Sequence, residues 1–102
     1  MIAETLDRAA DLLEPEGRWT QHANYRSEGG HILIRGVNAA SYCLVGAIET
    51  VKSGPDTREA VSFVSRRVGV AATAWNDVPT RTQKQVVAKL RECAKIARKR
   101  GD

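Results

Sequence analysis

Aromatic residues are scarce in this chain, 5% of its 102 positions, and no run of ~18 or more apolar residues occurs in it. The first scarcity argues against an interleaved basic and aromatic platform of the kind on which single-stranded bases stack. The second leaves nothing long enough to span a membrane as a helix. Cysteine is also sparse: Cys43 and Cys93 stand far apart, with no CxxC pair. That is neither a disulfide framework nor a zinc site. The opening MIAETLDRAADLLEPEG interleaves acidic residues with apolar ones and lacks a basic segment followed by an apolar block. It does not read as a secretory signal, and the expected setting is a reducing cytoplasm.

What is present suffices for one modest core. The apolar fraction is 42% and the length is typical of a single domain, 1–102, with no repeat, low-complexity tract or linker. The net charge of +4 is unevenly placed. From Thr80 to Asp102 eight basic residues face two acidic ones, whereas the preceding stretch carries eight basic and ten acidic. A basic terminal element can attract nucleic acid or an acidic partner. It is equally what a solvated last helix looks like, since Lys and Arg favour helix C-termini.

Helical spacing recurs along the chain. Ile2, Leu6, Ala9, Ala10 and Leu13 form one stripe, stopped by Pro15 and Gly17. Leu44, Ala47, Ile48 and Val51 form a second, capped by Asn38 or Ser41 and ended by Gly54 and Pro55. Its internal Gly46 costs about 1 kcal/mol against alanine and so suggests a close backbone contact. Asp56 and Glu59 have capping-box spacing ahead of a third stripe of Ala60, Val61, Val64 and Val68. VAATAW is either another helical turn or a connector. Val86, Val87, Leu90, Ala94 and Ala97, with Cys93 beside them, predict a last helix from about Gln83 to Lys99. Between the first two helices, Trp19, Gln21, Ala23 and Tyr25 alternate, SEGG signals a turn, and HILIR is a short β-branched run, predicting a hairpin. The expected fold is α+β, about four helices packed with one β-hairpin.

The stretch AWNDVPTRTQKQVV, Ala74 to Val87, combines a large indole with turn residues. Thr82 with Gln85 makes a capping box, and Thr80 with Gln83 a second one in an earlier register. Asn76 and Asp77 suit an Asx-turn, Pro79 biases Val78 away from helix, and Arg81 can pair with Asp77 across the turn. Every residue there has a structural role, so no chemistry is required of it. WNDVPTRTQKQVVAKL, together with RWTQ and SYCLVGAI, resembles a family of small bacterial and bacteriophage-encoded proteins of unknown function. Its members share a Trp-Asn-Asp-x-Pro-x-Arg-Thr type of signature and an earlier helix with a cysteine, a Gly-Ala pair and a hydrophobe. Those positions fall here on Cys43, Gly46, Ala47 and Ile48. The resemblance spans Trp19 to Leu90 and implies no reaction and no cofactor. Some members carry a histidine where this chain reads Gln83-Lys84, which counts against an enzyme.

Three functional readings follow. The favoured one is a non-catalytic interaction module engaging a protein partner through Trp75, Asn76, Asp77, Arg81, Lys84, Lys95, Arg98 and Arg100, steered by charge. The second is a thiol-dependent hydrolase or transferase. Cys43 at a helix start, His22 and His31 from the hairpin, and an orienting Asn76 or Asp77 are the parts of a nucleophilic triad. Against it, cysteine is among the residues most often buried. The same two histidines with Cys43 lack the short ligand spacing of a metal site, so none is expected. The third reading is nucleic-acid binding by Lys84, Lys89, Arg91, Lys95, Arg98, Lys99 and Arg100, extended by Arg66 and Arg67 if the helices lie side by side. No phosphate loop and no helix-turn-helix accompany it.

Overall fold

The structure is a computed structural model that describes residues 1–52 and 55–102. In chain order, α1 (Ile2–Leu13) is followed by β1 (Tyr25–Arg26), β2 (Ile32–Leu33) and β3 (Ser41–Tyr42). Then come α2 (Leu44–Val51), α3 (Pro55–Val68), α4 (Ala72–Asn76) and α5 (Gln83–Lys99). This is an α+β domain with five helices and a small antiparallel sheet among the described residues.

Amphipathic spacing decides how α1 and α5 pack. Leu6, Ala9, Ala10 and Leu13 of α1 are buried against Val86, Leu90, Cys93, Ala94 and Ala97 of α5, and the small residues allow the two helices close approach. The two run antiparallel, and the two ends of the α5 segment supply bonds missing at the two ends of α1. The Asp102 carbonyl accepts from Ala3 N–H at the start of α1. At the other end, Gln83 Nε2 donates to the carbonyls of Leu13, Glu14 and Pro15, which no helical partner satisfies. The start of α5 carries the capping box at Thr82 and Gln85, and the alternative at Thr80 is not used.

Other helix ends depart from the expectation. The N-cap of α2 is neither Asn38 nor Ser41 but Cys43, whose sulfur accepts from Gly46 N–H at 3.3 Å. Ser41 is drawn instead into β3, and Asn38 sits in a left-handed turn. α2 ends at Val51, and the expected stop at Gly54 lies outside the described residues. Pro55 opens α3 rather than closing α2. Asp56 therefore falls inside the first turn of α3, where its carboxylate favours the helix dipole and pairs with Lys52. VAATAW resolves into α4, whose first N–H, at Ala72, donates to Ser65 Oγ of α3.

The expected hairpin is present but only as part of the sheet. β1 pairs with β2 through the SEGG turn, where Gly30 takes a positive φ that suits glycine. β1 also pairs with β3, giving the order β2-β1-β3. Residues 19–24 do not form the expected alternating strand. Only Arg18 to Thr20 run beside β3, with Tyr42 bonded to Arg18 and Thr20, and the chain then bends through His22 at φ 64°. Tyr25 and Tyr42 seal the sheet onto the core, edge to face at 6.2 Å.

Candidate functional site

The bend after Trp19 and the end of α4 meet at one side chain. Asn76 is completely buried. Its Oδ1 accepts from Trp19 Nε1 at 2.7 Å and from Leu44 N–H at 3.1 Å. Its Nδ2 donates to the Thr20 carbonyl and to Asp77 Oδ1. All four bonds available to a carboxamide are thus made. Leu44 N–H is one of the orphan donors at the start of α2, so one amide ties α4, the Trp19 segment and α2 together. Gln21 reinforces the junction by donating to the carbonyls of Asn76 and Val78. Asp77 accepts from His22 N–H through Oδ1 at 2.9 Å, and its Oδ2 lies 3.7 Å from His22 Nδ1. These bonds run over more than thirty residues and replace the local Asx-turn expected at Asn76 and Asp77. The blocks RWTQ, SYCL and WND, separate in sequence, are one structure here.

Gly46 stands next to this junction for a steric reason. A Cβ there would come within 2.1 Å of the Asn24 carbonyl, which itself accepts from Cys43 N–H. The close approach expected from the sequence is thus between α2 and the backbone that leads into β1.

Cys43 is 1% exposed, and its thiol lies 3.4 Å from Asn24 Oδ1. Burial pushes its pKa up, and the carboxylates of Asp77 and Glu49 add to that rise. Bonds from Gly46 and Val45 N–H pull the other way, as a helix start is expected to do, but burial is the larger effect. Among the described residues no hydrogen bond joins Cys43 to either imidazole. His22 is exposed beside Asp77, and His31 is exposed at the hairpin turn. The arrangement brings Asp77 to His22 without delivering an accessible thiolate. No three His, Cys, Asp or Glu side chains converge on a metal-sized point among the described residues.

The outward side of the same segment differs. Arg81 does not pair with Asp77. Its guanidinium lies 3.8 Å above the Trp75 ring, and its Nε donates to the Trp75 carbonyl at 2.9 Å. Asp77 is already held by His22 and Asn76, so the π-face and the carbonyl of Trp75 take the cation instead. Among the described residues no carboxylate lies within ion-pairing distance of Arg81. Trp75, Arg81, Gln85, Ala88, Lys89 and Glu92 line a shallow groove of about 410 Å³.

The basic helix is less free than its composition suggests. Arg91 reaches Asp7, Asp11 and Glu14 of the α1 side, and Arg98 reaches Asp7 at 2.8 Å. Lys89 bonds Glu92, whose pKa it lowers. Arg100 stands over the Phe63 ring at 5.7 Å. Lys84, Lys95 and Lys99 of α5 are exposed and make no ion pair among the described residues. Of the expected contact residues, Trp75, Arg81, Lys84, Lys95 and Arg100 reach the surface. Arg98 is held by α1, Asp77 is largely engaged, and Asn76 is too buried to touch a partner. Sequence reasoning missed Gln21 and Trp19 as members of this junction, and only their place in RWTQ hinted at it.

Fold and site together define a small α+β domain in which a buried amide lock sets out a cation–aromatic platform on the surface. The chain belongs to a family of unknown function (DUF6197), whose model matches residues 1–96. No curated protein matches the chain, and no solved structure does.

Proposed function

We propose that this domain is a non-catalytic interaction module, and that its contact surface is the Trp75–Arg81 platform with the adjoining groove. The observation that carries the reading is Arg81 itself. Stacking and the Nε bond fix the guanidinium, which leaves its terminal nitrogens to the groove as a preorganised fork. A fork of this kind matches a carboxylate with two parallel bonds, and its fixed geometry reduces the entropy lost on binding. The partner is a protein that presents an acidic side chain or a C-terminal carboxylate beside an apolar group suited to Ala88 and the indole. Lys84, Lys95 and Arg100 lie outside the groove and act by steering.

The burial of Cys43 supports a scaffold role over a nucleophile, and the ion pairs of Arg91 and Arg98 take two of the cations that a phosphate-binding face would use. The setting that goes with this reading is the cytoplasm of a bacterium, or of one carrying a phage or prophage, where both thiols stay reduced. Capture from nuclease-treated bacterial lysate, with wild-type, Arg81→Glu and Trp75→Ala domains as baits, tests it. A protein retained by wild type and weakened at least about tenfold by either substitution is expected. Retention equal for all three baits, or loss of the signal on nuclease treatment, would rule the platform out.

A further inference from the structure

We infer that the exposed cations along the seam of α3 and α5 form a second binding face, which takes the phosphodiester backbone of a nucleic-acid duplex without reading its sequence. The two helices lie side by side. The Arg100 guanidinium stands over the ring of Phe63, a buried residue of α3. One turn further along α3, Arg67 is close enough to Glu92 to add to the lowering of its pKa by Lys89. An advance along α3 is thus a return along α5, and the seam from Arg67 to Arg100 spans roughly 12 Å of the α5 axis. Lys95 and Lys99, four apart, share the outward side of α5, and Arg66 stands beside Arg67. Arg66, Arg67, Lys95, Lys99 and Arg100 are all exposed, and none has a carboxylate within ion-pairing distance among the described residues.

Helix dipoles favour a cation in the last turn, which accounts for arginines and a lysine at each helix end. They do not account for the missing counter-charge. On its other flank α5 has Arg91 and Arg98 matched by Asp7, Asp11 and Glu14. On the α3 flank no acidic residue follows Glu59, a turn short of Phe63, until Asp77, and Glu92 is bonded to Lys89. Like charges gathered in so short a seam repel one another, and a dense polyanion relieves them. A duplex carries one negative charge per about 1.7 Å of its axis, so roughly seven fall within the length of the seam. A single strand fits less well, because Phe63 is buried and no exposed aromatic ring stands among these cations for a base to stack on. The face uses neither Trp75 nor Arg81 and is independent of the platform.

Fluorescence anisotropy of a labelled DNA duplex of about 20 base pairs, at salt from about 50 to about 200 mM, is the test, with circular dichroism confirming that each variant is folded. Wild type is expected to bind at the lowest salt with a Kd on the order of 10 µM, and log Kd should rise with log salt at a slope of about 3 to 4. Arg66→Glu and Lys99→Glu, both at exposed positions, should each weaken binding at least about fivefold and lower that slope by about 1. Arg35→Glu, the same change of charge in the exposed loop after β2, should leave binding within about twofold. An RNA duplex of the same sequence is the second arm, and binding of either duplex through these residues supports the face. No binding at the lowest salt, equal weakening by Arg35→Glu, or a single strand bound as tightly as the duplex would each overturn it. So would displacement by polyglutamate of equal charge as readily as by unlabelled duplex, which would point to an acidic protein instead.

Discussion

At the residue scale, single atoms carry most of the specificity of this fold. Gly46→Ala would improve intrinsic helix propensity by about 1 kcal/mol, yet it pushes a methyl into the Asn24 carbonyl, and overpacking of this kind costs roughly 1–3 kcal/mol. A net loss in urea unfolding, with disturbance centred on Asn24, is the expected outcome. Tyr25 donates to Glu49, and burial together with that carboxylate pushes its pKa up to about 12. Its folded pKa thus lies above the unfolded value of 10, so this contribution to stability is complete below pH 10 and is lost as pH rises through about 12. The stability gap between wild type and Tyr25→Phe should therefore narrow across that window, by on the order of 2 kcal/mol. A gap that stays constant would mean the phenol is not held as described. Cys43, buried and with its pKa raised, should resist a mild alkylating reagent in the native state and react once the chain is unfolded. Rapid native labelling would revive the thiol-enzyme reading.

At the element scale, the two long helices that frame the domain were readable from the sequence. α1 and α5 each have a repeating apolar stripe and a local terminus signal, Pro15 and Gly17 for one and the Thr82 box for the other, so nothing distant is needed to place them. β3 was not readable, because two residues are too few to show alternation and Ser41-Tyr42 becomes a strand only through its partners. Cys43 as a cap was hidden for a related reason: a sulfur is a weak acceptor and Ser41 the better one on paper, but sheet pairing claims Ser41. Gln83 has the further role of closing α1 from the start of α5, which no local pattern announces. Gln83→Ala should cost about 1–2 kcal/mol by leaving the last carbonyls of α1 without that donor, and increase amide exchange in its final turn. Protection unchanged in that turn would show that water serves there equally well.

At the scale of the whole molecule, composition alone gave a misleading picture of the charge. The basic terminal element was legible, but the acidic face of α1 that neutralises part of it lies some eighty residues away in sequence. The candidate site shows the same limit. The signature stretch was legible as structurally busy, yet Asn76 and Asp77 suit a local turn and a long-range junction equally well, and only the fold decides between them. That junction turns on one side chain: the buried amide of Asn76 joins the Trp19 segment, the start of α2 and the end of α4, and thereby sets out Trp75 and Arg81. A double-mutant cycle in urea unfolding, with Trp19→Phe, Asn76→Ala and the pair, measures it most directly. Each single variant should lose about 1–3 kcal/mol, and the pair should fall short of the sum by at least about 1 kcal/mol, since both remove the same bond. Losses that add to within about 0.3 kcal/mol would show that the indole and the amide act separately, and would contradict the account.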